Sequence, residues 1–90
     1  MNLKPEVTRI LAREKRVSET ALARLRERTR PLELQYGWST DTFLEKFNAG
    51  EAGDEQAFFR WYALAEAIKD WQKTCDSLDE LLAGSELVRV

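Results

Sequence analysis

Three groups of side chains in this 90-residue chain have types and spacings that could do chemistry. Glu51, Asp54 and Glu55 form one carboxylate cluster, and Asp76, Asp79 and Glu80 form a second. Paired carboxylates can move protons or hold a divalent cation, but neither cluster has the alternating oxygen ligands, glycine and distal Glu of a calcium loop. Solvated helix ends account for both more simply. Cys75 is the single cysteine and histidine is absent, so a Ser-His-Asp triad, a Cys-His dyad, a Cys/His zinc site and an internal disulfide are excluded within one chain. The expectation is a protein that is not an enzyme and uses no metal or cofactor, with Cys75 as a small buried hydrophobe.

The third group suits recognition rather than reaction. In "NAGEAGDEQAFFRWYAL", residues 48–64, two glycines and several acids lead directly into Phe58, Phe59, Trp61 and Tyr62. Trp and Tyr are favoured anchors of protein interfaces, which makes Trp38, Phe58, Phe59, Trp61, Tyr62 and Trp71 the candidate interface residues. Arg9, Arg13, Arg16 and Arg24 are the candidate nucleic-acid contacts, but Glu6, Glu14, Glu19 and Glu27 interleave with them and break a continuous phosphate-tracking stripe. Charge divides unevenly along the chain. Residues 1–36 carry nine Lys/Arg against five Asp/Glu, a net of +4, and residues 37–90 carry five against eleven, a net of −6. Such halves either satisfy each other or offer an acidic face to a basic partner.

The elements that must position these groups are helices. Residues 5–36 are rich in Ala, Leu, Glu and Arg and contain no glycine, so propensity favours one helix roughly 45 Å long with a kink near Pro31. On a wheel of about 100° per residue, Leu3, Val7, Ile10, Leu11, Val17, Ala21, Leu22, Leu25, Leu32 and Tyr36 share its apolar face. Residues 40–49 read as a short helix capped by Ser39 or Thr40 and ended by Gly50. A third helix, residues 54–82, starts from an Asp54 cap, with Gly84 beyond its end. Its Trp61, Leu64, Ile68, Trp71, Cys75, Leu78 and Leu82 alternate spacings of three and four. The fold class is therefore all-α. A single helical domain, 1–90, forms an antiparallel hairpin of two long helices with the short helix in the connection, dimerising into a helical bundle. The tail 84–90, "GSELVRV", is expected to fray. No apolar run is long enough to span a bilayer and the N-terminus lacks the apolar core of a secretory signal, so the expected location is the cytoplasm, away from membranes.

On the third helix the seam uses Trp61, while Phe59 points nearly opposite to Ile68 and Leu78. Two readings of the aromatic cluster stay open. In one, the short helix folds Phe43, Leu44 and Phe47, together with Trp38, over Phe59 and Tyr62 as a local core. In the other, part of the cluster is a partner surface.

The stretch 32–68, "LELQYGWSTDTFLEKFNAGEAGDEQAFFRWYALAEAI", resembles a family of small bacterial and archaeal helical proteins. The matching residues are Tyr36, Gly37, Ser39, Phe43, Leu44, Phe47, Gly50, Gly53, Asp54, Phe58, Phe59, Trp61 and Tyr62. Members of that family are encoded beside ribonuclease-like toxins of the TumE type and are called antitoxins. The resemblance implies an antitoxin of a type II toxin-antitoxin system, a protein-binding module that neutralises its cognate toxin by direct complex formation. The chain's acidic half is compatible with a basic, RNA-cleaving partner. No helix-turn-helix or ribbon-helix-helix pattern accompanies it. The alternatives are a homodimeric helical structural or interaction module and, ranked below it, a nucleic-acid-binding helical protein.

Overall fold

The computed structural model describes residues 4–88, with side chains described over 4–84. Three helices follow one another: α1, Pro5–Tyr36, α2, Thr40–Asn48, and α3, Gln56–Val88. The two long helices form an antiparallel hairpin with α2 in the connection, and no strand is present among the described residues. Cα packing separates two compact units. One comprises residues 4–22 and 70–88, and the other is Ala23–Lys69.

Local chemistry explains most of the boundaries. Pro5 occupies the first position of α1, where its missing N–H costs nothing, and Thr8 closes the first turn by donating to the Lys4 carbonyl at 3.1 Å. Gly37, at φ 71°, ends the helix by donating to the Glu33 carbonyl at 2.9 Å. Ser39 caps α2, its Oγ accepting from the Thr42 amide at 3.1 Å. At the other end Gly50, φ 75°, donates to Phe47 and Glu51 donates to Lys46, the paired reverse bonds of a Schellman motif.

Residues 5–36 form one helix, as read from the sequence, continuing through Pro31 to Tyr36, and two other expectations are corrected. Both Pro31 and Glu27, whose carbonyl loses the missing bond, are exposed, so water can satisfy it. The third helix begins at Gln56 rather than at an Asp54 cap, and Phe58 closes its first turn onto the Glu55 carbonyl at 3.0 Å. It also runs through Gly84 to Val88, replacing the frayed tail, while residues 89 and 90 lie outside the described residues. One helical glycine costs only about 1 kcal/mol, too little to end a helix flanked by good helix formers.

The inward faces also differ from the sequence reading. Leu11, Lys15, Ser18 and Leu22 are the covered positions of α1 in the first unit, and Leu25, Thr29, Leu32 and Tyr36 in the second. Val7, Ile10 and Val17 are 38, 56 and 50% exposed, and Leu3 lies outside the described residues. On α3 the covered positions are Phe58, Trp61, Ala65, Ile68, Gln72, Cys75, Leu78 and Leu82, while Trp71 turns outward. The physical reason is the 3.5-residue repeat of packed helices. A straight wheel drifts from it by about 20° per heptad, and over four heptads that approaches one residue position. The repeat puts Ser18 and Thr29 inside, where both hydroxyls bond their own helix, to Glu14 O and Arg26 O at 2.9 Å each. Neither is left unsatisfied by burial.

Candidate protein-binding site

The unit Ala23–Lys69 is organised by aromatic rings. Phe43 and Trp61 are fully covered and lie face to face, centroids 4.0 Å apart and planes 2° from parallel. Phe58, 2% exposed, completes the buried cluster, with Leu32, Tyr36, Trp38, Phe47, Ala52 and Tyr62 packed against it. Tyr36 meets Phe58 edge-on at 4.9 Å, and Tyr62 stacks on Phe47 at 4.7 Å. Trp38 stacks loosely on Tyr36 and Trp61, with the Lys46 ammonium 5.4 Å from its ring.

A polar network fixes this cluster. Glu33 Oε2 accepts from the Thr40 amide at 2.7 Å and from Thr40 Oγ1 at 3.0 Å, compensating the open N-terminus of α2. Thr40 Oγ1 in turn accepts from Trp61 Nε1 at 3.1 Å, which sets the rotation of the buried indole. Tyr36 OH donates to Glu55 Oε2 at 2.5 Å. That bond to a carboxylate favours the neutral phenol and raises the Tyr36 pKa. Thr40 and Glu33 carried no apolar signal, and only the capping pattern around residues 39–40 pointed to their neighbourhood.

The six aromatic interface candidates therefore separate. Phe58 and Trp61 are core, and Trp38 and Tyr62 are half-buried against it. Phe59 is 59% exposed, touching Phe47 edge-on at 5.9 Å. It borders a cavity of about 180 Å³ lined also by Phe47, Gly50, Ala52, Gly53 and Asp54. Glu51, Asp54 and Glu55 of the preceding loop are exposed. A larger groove, about 440 Å³, runs past Arg26, Arg30, Glu33, Thr40 and Asp41.

Trp71, the sixth candidate, belongs to the other unit and is 36% exposed. There Lys15 Nζ pairs with Asp79 Oδ1 at 2.5 Å, which raises the lysine pKa through the hydrogen bond and the carboxylate charge. Cys75 is 4% exposed, and burial, reinforced by the charges of Glu19 and Asp79, pushes its thiol pKa up. A thiol held protonated is a poor nucleophile. Arg9, Arg13, Arg16 and Arg24 are all exposed on α1, with Glu14 and Glu19 exposed among them. Among the described residues, no three Cys, Asp or Glu side chains group as a metal site, and no helix is long and apolar enough to cross a membrane.

The chain matches no family model, no curated protein and no solved structure.

Proposed function

We propose that this protein is a cytoplasmic protein-binding module that captures a basic protein and, as the resemblance of residues 32–68 implies for its role, an antitoxin that holds a ribonuclease-like toxin in a direct complex. Phe59 is the observation that carries this reading. Its neighbours Phe58 and Trp61 are packed away, yet its own ring stays 59% exposed beside a small cavity and an exposed acidic loop. An aromatic anchor that shares its cavity with Asp54, close in sequence to exposed Glu51 and Glu55, suits a basic, partly apolar partner, with the acids steering the encounter and the ring supplying affinity.

Affinity capture from nuclease-treated host extract, comparing the native protein with Phe59→Ala, tests this. The expected result is one stoichiometric basic protein that the variant loses and whose toxicity on expression is relieved by the native chain. Capture of nothing but the chain itself would refute the antitoxin reading.

A second reading, self-association of the hairpin, is favoured by a different observation. Val7, Ile10 and Val17 of α1 and Trp71 and Leu81 of α3 leave large apolar side chains in water within one unit.

A further inference from the structure

In residues 4–22 and 70–84, the large exposed apolar side chains fall into two rows. Val7, Ile10, Val17 and half-buried Ala21 each sit one residue before the less exposed Thr8, Leu11, Ser18 and Leu22. On α3, exposed Trp71 and Leu81 stand one residue before half-buried Gln72 and Leu82. One residue back is a rotation of about 100° in the same sense on each helix. Because α1 and α3 run antiparallel, that rotation turns both rows to the same side of the hairpin. The other flank carries Arg9, Arg16 and Glu19 on α1 and Lys73, Asp76 and Glu80 on α3, all exposed. A second apolar row beside the first is the pattern of helices that contribute to a bundle core rather than to a simple pair.

We infer that this face binds a second copy of the chain, with α1 of each copy lying against α3 of the other. The inference rests on the self-association reading above and adds its face and orientation. Charge selects the occupant. Residues 4–22 carry a net of +2 and residues 70–84 a net of −3. Two copies arranged this way alternate basic and acidic helices around a four-helix core, whereas α1 against α1 sets like charges side by side. The same patch pairs with itself, as a two-fold dimer requires. Size agrees as well. At exposures of 36–56% the five large side chains present on the order of 400 Å² of apolar surface. With the usual apolar share of a dimer interface, roughly two thirds, the pair would bury about 1,200 Å², enough for a specific interface. Glu14 and Thr74 interrupt the two rows, and single polar positions of this kind help to set register.

Sedimentation equilibrium on the full chain tests the proposal, with Ile10→Asp, Leu81→Asp and, as a control away from the face, Phe59→Asp. The native protein and the control should weigh twice the 10.4 kDa chain. Each face variant should raise the dimer dissociation constant roughly 30-fold or more, with helical circular dichroism unchanged. Raising salt from about 0.05 M to about 0.5 M should weaken the native dimer, as expected for opposite charges facing each other. A native protein that is monomeric at every concentration would overturn self-association itself. A native dimer indifferent to both face variants would leave self-association standing and overturn the assigned face. A dimer strengthened by salt would overturn the orientation.

Discussion

Replacing Thr40 by Val keeps the shape of the side chain and removes its hydroxyl. In the native protein that oxygen accepts from Trp61 Nε1 at 3.1 Å and donates to Glu33 Oε2 at 3.0 Å. Glu33 keeps a partner, because the Thr40 amide still donates to it at 2.7 Å. The indole does not: Trp61 is fully covered, and its N–H would face a methyl group. An unsatisfied buried donor costs about 1–3 kcal/mol. Thr40→Ser, which loses a methyl but retains the hydroxyl, should cost less than about 1 kcal/mol. The assay is urea unfolding followed by tryptophan emission in a Trp71→Phe background, so that Trp38 and Trp61 report only on the unit Ala23–Lys69. With a slope near 1 kcal/mol per molar for a chain this small, Thr40→Val should lower the midpoint by about 1–3 M without changing the slope. Equal midpoints for the Val and Ser variants would refute the argument, since the hydroxyl would then contribute nothing that the methyl group does not.

Phe43→Ala should cost about 3–5 kcal/mol, because it empties the place of a fully covered ring stacked on Trp61, whereas Phe59→Ala should stay within about 1 kcal/mol of native in the same melt. Above about pH 10 stability should fall. The folded-state pKa values of Tyr36 and Lys15 are raised above their ordinary 10.0 and 10.5, so their contribution is complete below those values and is lost as pH climbs through the higher folded ones; Tyr36→Phe should flatten part of that decline in a pH series of urea melts. Gly84→Ala should stabilise α3 by roughly 0.5–1 kcal/mol, since Gly84 is helical and an added Cβ meets nothing within 4 Å; no gain in thermal midpoint would contradict a helix continuing to Val88. Iodoacetamide should label Cys75 far more slowly in the native protein than in urea, because the thiol is buried and its pKa is raised.

Element type and rough extent were determined by local chemistry and were legible in the sequence. Pro5, Gly37, Ser39 and Gly50 mark the ends of α1 and α2 through bonds between near neighbours, so their spacing alone places those boundaries. Gly84 misleads because a single residue's propensity weighs little against a helix continuing on both sides. Which residues face inward was decided by tertiary packing. The composition of α1 draws attention to Val7, Ile10 and Val17, yet the register of two packed helices covers Ser18 and Thr29, whose hydroxyls satisfy themselves on their own backbone. Likewise Ala65 and Gln72 occupy inward positions that a count of large hydrophobes assigns to Leu64 and Trp71. The aromatic run 58–62 announces a cluster, but only the placement of α2 determines that Phe58 and Trp61 become core while Phe59 stays in water. Sequence periodicity records that a helix has apolar sides, and which of them is covered depends on the neighbour that packs there.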